Sequence, residues 1–404
     1  MKVLFLTNKV PWPLKDGGAI GTFNLAYGLY LAGCNIKMLS INTSKHTVDE
    51  SDIPREIQNS LNINTININT DIRFFPLIKN LVFSKKPYIA ERFNSPLFSE
   101  KLIDCLKSES FDIIILEILY MGTYIPLIRQ YSDAHISLHA PNIEHEIWMR
   151  IAKNENNPLK KAYLKQLANR IRKYEFNLMN NYDSLIPVAE TNAKTYKQMG
   201  VTVPVFVAKI GVFFDKIDKC LSNKSIKEEL AFAHIGALDW IPNLEGLKWF
   251  LNEVWPGIHQ KRPDIKFYVA GRNAPAKIKE TLNQPGVVYL GEVPDAYEFI
   301  CSKSIMIVPL LSGSGMRVKI IESLALEKAI VSTSVGAEGI EVENNIHIRI
   351  EDQPKAFARA CLELCDNKEL RETIGKNGNI MVRNNYDNVK IGKNLKSFYQ
   401  KIIQ

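Results

Sequence analysis

Ten short apolar runs, set in two series and separated by helical stretches, constrain this chain more than any other feature. The first series is Val3 to Leu6, Ile36 to Ile41, Ile113 to Leu116, Ile136 to His139 and Leu185 to Ala189. The second is Phe232 to Ile235, Ile265 to Ala270, Val287 to Leu290, Ile305 to Val308 and Ile330 to Ser332. β-branched runs of this length, alternating with helices, predict parallel sheets covered by helices, an α/β class. Two series predict two doubly wound, Rossmann-like domains. The length of 404 residues agrees, because a chain of this size exceeds one core and divides into domains of roughly 150–200 residues. The switch falls between Gly200 and Glu229, where VTVPVFVAKIGVFFD gives way to a polar stretch, and the first domain is set at residues 1–205. The second covers 206–383, leaving 384–404 as a terminal helix with Ile391, Leu395, Phe398 and Ile402 at helical spacing. The polar segment 43–72 is expected to be irregular or peripheral.

After the fourth strand of the second series, and running through the fifth, comes PLLSGSGMRVKIIESLALEKAIVSTSVGAEG, residues 309–339. An apolar strand enters a Gly-rich turn, Ser312-Gly313-Ser314-Gly315, and Met316, Arg317 and Lys319 follow. Glycines let a backbone approach a phosphate closely. The amides of a helix N-terminus suit an anion, and Arg with Lys add charge and forked hydrogen bonds. Glu322, early in the next helix, is placed to accept from a sugar hydroxyl. The segment reads as a nucleotide-diphosphate site, which points to an enzyme.

Two further clusters follow strands of the first series. Strand Val3 to Leu6 leads through Pro11-Trp12-Pro13 to Asp16-Gly17-Gly18, with a helix expected over Thr22 to Ala32. The prolines stiffen that loop, and Gly17 and Gly18 leave room for a ligand at the carboxyl end of the strand. The loop lacks the GxGxxG dinucleotide fingerprint. The other cluster is His139, Asn142, Glu144 and His145, where a histidine serves equally well as a satisfied structural residue.

Composition narrows the partners. Hydrophobic residues make up 46% and charged residues 23%, ordinary for a soluble globular protein, and no apolar run reaches membrane-spanning length. Only five residues separate Lys2 from Asn8, too few for the core of a signal peptide. Cys34, Cys105, Cys220, Cys301, Cys361 and Cys365 lack zinc or disulfide spacing and read as buried free thiols in a reducing cytoplasm. The net charge of +8 gathers between His145 and Glu175, with eight Lys/Arg against three Asp/Glu. There Leu164, Leu167, Ile171, Tyr174 and Leu178 form a helical stripe, with Lys160, Lys161, Lys165, Arg172 and Lys173 off it. One reading is a core-facing helix with a solvated basic back. The other is a surface that docks on anionic lipid headgroups at the inner face of the plasma membrane, or on a polyanionic acceptor. Nucleic acid is not a partner on this reading, since no RNA-binding aromatic signature or zinc finger is present.

These segments resemble, in order and over nearly the whole chain, the GT-B glycosyltransferases of family 4, the retaining glycosyl transferases group 1. PWPLKDGGAIGTFNLAYGL, PNIEHEIW and PVAETNAKTYKQMG are similar to that family's N-terminal domain. IGALDWIPNLEGLKWFLNEVWP, FYVAGRNAP, VVYLGEVPD and, most specifically, SGSGMRVKIIESLALEKAIVSTSVGAEGIEV are similar to its C-terminal domain. The resemblance implies two Rossmann-like domains facing a central cleft. The N-terminal domain would bind the acceptor, the C-terminal one the nucleotide sugar, and the last helix would pack back on the first domain.

Roles follow residue by residue. Glu322 matches the second glutamate of the family's pair, which holds the donor ribose; Ser314 stands where the first would be. Arg317 and Lys319 would face the pyrophosphate, with backbone groups of Gly313, Ser314, Gly315 and Met316 beside them. Gly236 and Arg272, after the first two strands of that domain, would add donor contacts. Val293, in the Gly291-Glu292-Val293-Pro294 turn, would meet the base. Gly17 and Gly18 would approach the donor from the other domain, and Asn142 and Glu144 would lie on the acceptor side. The family's N-domain histidine aligns with Pro141, so His139 or His145 would substitute or the role is unfilled.

The resemblance therefore implies a metal-independent hexosyl- or glycosyltransferase that retains configuration. Its donor is a nucleotide-diphosphate sugar and its acceptor a glycan or lipid-linked glycan, in bacterial surface polysaccharide synthesis. It uses no cofactor, and the chain lacks the DxD motif with which another transferase fold holds a metal. Two alternatives share the phosphate site: a sugar-nucleotide epimerase and a non-catalytic nucleotide- or polysaccharide-binding protein.

Overall fold

All ten apolar runs become strands, because a parallel strand covered on both faces must be apolar throughout. The computed structural model describes residues 1–71, 75, 79–80, 83–84, 86–313 and 315–403. The chain divides into two units, Met1–Ile210 with Asn388–Gln404, and Gly211–Asp387. The breaks lie at 210/211 and 387/388, a few residues beyond the expected 205/206 and 383/384.

The first unit is built on β1 (Lys2–Thr7), β2 (Asn35–Thr43), β3 (Ile63–Ile68), β4 (Ile113–Glu117), β5 (His135–Ala140) and β6 (Ser184–Pro187). They form one sheet in the order β3-β2-β1-β4-β5-β6, and its paired strands run parallel. The second unit carries β7 (Glu229–Ile235), β8 (Phe267–Ala270), β9 (Val287–Gly291), β10 (Lys303–Val308), β11 (Ala329–Ser332) and β12 (Arg349–Ile350). Its order, β12-β11-β10-β7-β8-β9, is the same doubly wound topology read from the other edge. In each unit the order reverses beside the first strand, between β1 and β4 and between β7 and β10. Crevices at the carboxyl ends of strands open at such switch points.

The second unit shows how the strand period builds two cores. Phe232, Phe267, Val269, Ile305, Ile307 and Val331 face one helical layer. Their alternate neighbours Ala233, Ala270, Met306, Val308 and Ile330 face the other.

Two expectations are corrected. Segment 43–72 contains the helix Arg55–Leu61 and the strand β3, paired with β2 from Met38↔Ile63 to Thr43↔Ile68. Asn64 and Asn67 of INTINI point outward while Ile63 and Ile66 are buried, so an edge strand hid behind its polar half. The first helix spans Gly17–Leu31 rather than starting at Thr22. Asp16 caps it, its carboxylate accepting from the Ala19 amide at 3.0 Å, and Gly17 and Gly18 form its first turn.

The helix Asn388–Ile402 closes the first unit against Gly17–Leu31. Its buried face is Asn388, Gly392, Leu395 and Tyr399. A Cβ on Gly392 would lie 2.2 Å from the Gly28 carbonyl oxygen, so the backbones touch where neither residue has a side chain. The Asn388 amide donates to the Asn24 carbonyl at 2.6 Å and the Lys396 ammonium to that of Ala32 at 2.7 Å. Among the described residues no helix is long and apolar enough to cross a membrane. All six cysteines are free thiols, and five are buried.

Candidate functional site

The Gly-rich turn leaves β10 at the switch point of the second unit, opposite Gly236 at the end of β7. Pro309 and Leu310 are buried and anchor its base. Gly246, in the helix Ile241–Trp249, makes this anchor possible: a Cβ there would sit 2.2 Å from the Pro309 carbonyl oxygen. Gly313 and Gly315 have φ of 108° and 84°, the left-handed region that favours glycine. Ser314 lies outside the described residues. Arg317 precedes the helix Val318–Ala325 and is only 4% exposed. Its guanidinium donates to the Gly315 carbonyl and lies 5.7 Å from the Trp240 ring centroid. It therefore holds the turn closed while keeping its charge beneath it.

Lys319 is drawn inward. Its ammonium donates to the Asn243 side-chain oxygen at 3.0 Å, and the Asn243 amide donates to the Ala237 carbonyl at 2.8 Å. Gly236 faces the same point, where a Cβ would be 2.7 Å from both the Lys319 nitrogen and the Asn243 amide nitrogen. A bare backbone at Gly236 thus makes room for the cation. Burial, reinforced by the Arg317 charge, lowers the Lys319 pKa to about 7, against the opposing pull of Glu322. Burial raises Glu322 to about 7, while a hydrogen bond with Tyr297 and the Lys319 charge act the other way. Both groups therefore titrate near neutrality.

Beneath them, His234 on β7 is fully buried. Its Nδ1 donates to the Ile307 carbonyl at 2.9 Å, and its Nε2 has no hydrogen-bond partner among the described residues. Burial, and then Lys319, push its pKa down to about 3, so the ring is neutral and adds no charge to the site.

The turn brings together Gly313, Gly315, Met316 and Arg317, and the switch point brings Gly236 to Lys319. Arg272 joins through the backbone, its carbonyl accepting from the Leu238 amide at 2.9 Å. A Cβ on the preceding Gly271 would meet the Gly236 carbonyl oxygen at 2.0 Å. Val293 is half-buried in the turn after β9. Asn243, Trp240, Tyr297 and His234 were missed in the sequence. Asn243 had a weak signal, as a polar residue just inside a helix begun by Pro242. The others reach the site only through packing.

In the first unit, Gly17 and Gly18 are exposed at the start of their helix, beside a Lys9–Asp16 ion pair of 2.6 Å. The second cluster lies after β5, around the helices Glu144–Asn154 and Pro158–Met179. The Glu175 carboxylate, wholly buried, accepts from the amides of Glu144 and His145 at 3.2 and 3.3 Å. It also pairs with the His145 ring at 2.6 Å and accepts from the Tyr196 hydroxyl at 3.4 Å. Tyr120 donates to Glu144 at 2.8 Å, and Tyr196 to the Asn142 carbonyl at 3.1 Å. Burial raises Glu144 to about 7, with Tyr120 opposing and Glu175 adding to the rise.

The two histidines differ. His139 pairs with Glu117 at 2.7 Å, and its side chain is 2% exposed. A ring so enclosed packs as part of the core of the first unit. The His145 side chain is 14% exposed and borders the Glu144 cluster. Among the described residues no group of three His, Cys, Asp or Glu could hold a metal ion.

Residues 229–367, most of the second unit, match the family model Glycosyl transferases group 1. The whole chain is 25% identical over 415 residues to an uncharacterized 44.6 kDa protein in the cps region of Klebsiella pneumoniae. That alignment covers 96% of this chain and 97% of the relative. The fold is similar to that of sucrose-phosphate synthase from Thermosynechococcus elongatus, with a TM-score of 0.71 and 15% identity over 100% of this chain and 99% of that one. Alr3699/HepE of Anabaena, in complex with UDP, has a TM-score of 0.68 and 12% identity over 99% and 100%. Strand order and structural likeness converge on the GT-B fold, and residues 229–367 of the second unit match the glycosyl transferases group 1.

Proposed function

We propose that the protein transfers a sugar from a nucleotide-diphosphate donor to a glycan or lipid-linked acceptor, with retention of configuration and without a metal. The observation that carries this reading is the pair of cations at the β7/β10 switch point, Arg317 and Lys319, beneath a turn of left-handed glycines. Breaking the sugar–phosphate bond leaves its electron pair on the diphosphate. Fixed cations and the amides of Gly313, Gly315 and Met316 stabilise that charge as it develops. The acceptor hydroxyl forms the new bond on the face the diphosphate leaves, and its proton passes to the departing phosphate oxygen. Glu322, held by Tyr297, takes the ribose hydroxyls, while Arg272 and the Val293 turn frame the phosphate and base. Asn142, Glu144 and His145 receive the acceptor, Glu144 offering a carboxyl that changes protonation near neutral pH.

The cps-region setting of the Klebsiella relative supports surface-polysaccharide synthesis. UDP, bound in the Anabaena structure, is the first nucleotide to try. The test is calorimetric titration with UDP, GDP, ADP and CMP, without metal and then with Mg²⁺. Selective binding of one diphosphate without metal, lost in Arg317→Ala with the fold intact, is the expected result. Unchanged affinity in that variant places the site elsewhere, and binding without turnover toward any acceptor favours a non-catalytic protein.

A further inference from the structure

Cys220 and Cys301 meet between two packed helices of the second unit. Cys220 lies in the last turn of the helix Phe214–Ser222, and Cys301 ends the helix Ala296–Cys301. Their sulfurs are 2.8 Å apart, although 81 positions separate them in the chain. Both helices are held by other contacts, so the sulfurs meet in a set geometry. On the first, Ile217 is wholly buried, and the Arg383 guanidinium pairs with Asp218 and lies 4.3 Å from the Phe214 ring centroid. At the end of the second, the buried Lys328 donates its ammonium to the Cys301 carbonyl at 2.9 Å. The two thiols differ in access: Cys301 is buried, while Cys220 is half-buried next to the exposed Leu221.

From this geometry we infer a reversible redox site: Cys220 and Cys301 join in a disulfide when the chain meets a low-molecular-weight disulfide such as oxidised glutathione. An S–S bond of about 2.0 Å asks the sulfurs to approach by about 0.8 Å from their present separation. Cys220, the accessible sulfur, attacks as the thiolate; its bond to one glutathione sulfur forms as the glutathione disulfide bond breaks, and one glutathione leaves. Burial, and then the Cys220 thiol, push Cys301 up to about 12, with Lys328 opposing. The mixed disulfide removes the Cys220 share of that rise. The Cys301 sulfur then displaces the second glutathione from Cys220. Two protein thiols are oxidised, one glutathione disulfide is reduced to two thiols, and each protein thiol's proton ends on a glutathione sulfur. In a reducing compartment both cysteines stay thiols, so the bond reports oxidising conditions. Once formed, it staples the helix near the start of the second unit to the helix that carries Tyr297, and it restrains the unfolded chain. Neither sulfur belongs to the proposed donor site, so the redox site stands or falls apart from that reading.

The test is incubation of the full chain with oxidised glutathione, followed by a thiol count in denaturant, peptide mapping and thermal unfolding. The six thiols of the reduced protein are expected to fall to four, with Cys220 and Cys301 joined in the map. The oxidised parent is expected to melt roughly 5–10 °C higher and to return to its starting value with dithiothreitol. Cys301→Ser is expected to stop at the mixed disulfide, carrying one glutathione on Cys220 and gaining none of that shift. Cys220→Ser is expected to keep its five thiols. Six thiols remaining in the treated parent, a parent that stops with glutathione on Cys220, or a disulfide mapped to another pair overturns the inference. So does a Cys301→Ser variant whose melting rises as the parent's does.

Discussion

Lys319 is the residue whose replacement tests the donor site most directly. In the free protein its pKa is about 7, so about half carries charge at pH 7, about a tenth at pH 8 and about a hundredth at pH 9. A phosphate oxygen at the 3.0 Å now spanned to Asn243 would attract the ammonium by about 5 kcal/mol at an effective dielectric constant of about 20. That is enough to return the pKa to the ordinary lysine range in the complex. Binding then takes up a proton wherever the free lysine is neutral. UDP affinity is expected to fall about tenfold from pH 8 to pH 9 and to level off below pH 7. Glu322, also near 7, has largely ionised by pH 8, so the slope above that belongs to Lys319. His234 stays neutral throughout. Lys319→Met removes a charge-assisted hydrogen bond of about 1.5–3 kcal/mol, a loss of roughly 10–150-fold at pH 7, and flattens the slope. The assay is calorimetry across this range in two buffers of different ionisation enthalpy, which counts the protons directly. A flat affinity from pH 8 to 9 in the parent, or a Met variant that keeps the slope, refutes the reasoning.

Two further outcomes follow from packing. Gly246→Ala puts a methyl 2.2 Å from the Pro309 carbonyl oxygen, so the base of the Gly-rich turn must shift. Denaturant unfolding is expected to show a loss of about 1–3 kcal/mol, and calorimetry weaker nucleotide binding. Glu175→Leu leaves the amides of Glu144 and His145 and the His145 ring without their buried acceptor. The expected loss is about 3–5 kcal/mol, read by the same unfolding, and a neutral result would mean that the network rearranges at little cost.

Much of the proposed donor site was legible because its residues are local in sequence. Gly313, Gly315, Arg317, Lys319 and Glu322 lie within one strand–turn–helix, and the strand and helix periods show which way the chain runs through them. Asn243 and Tyr297 were not legible, because they lie 76 and 25 positions from the residues they bond, Lys319 and Glu322. The histidines show the other limit. His139 and His145 look alike in the sequence, six positions apart and both beside a polar cluster. Burial separates them: Glu117 on the neighbouring strand closes His139 into the core, while His145 stays at the rim.

The sequence by itself determined the class of the fold and the existence of a Gly-rich turn between a strand and a helix. Short apolar runs between helices admit little besides doubly wound sheets, and glycine with Arg and Lys at a helix start has few other uses. Tertiary structure alone decided the strand order, the recruitment of INTINI as an edge strand and the partial neutralisation of Lys319. Each of these depends on which backbone lies beside which. A polar strand is settled by its neighbour's open edge, and the half-buried Lys319 is brought toward neutrality by desolvation and the Arg317 charge at a point where Gly236 leaves it room.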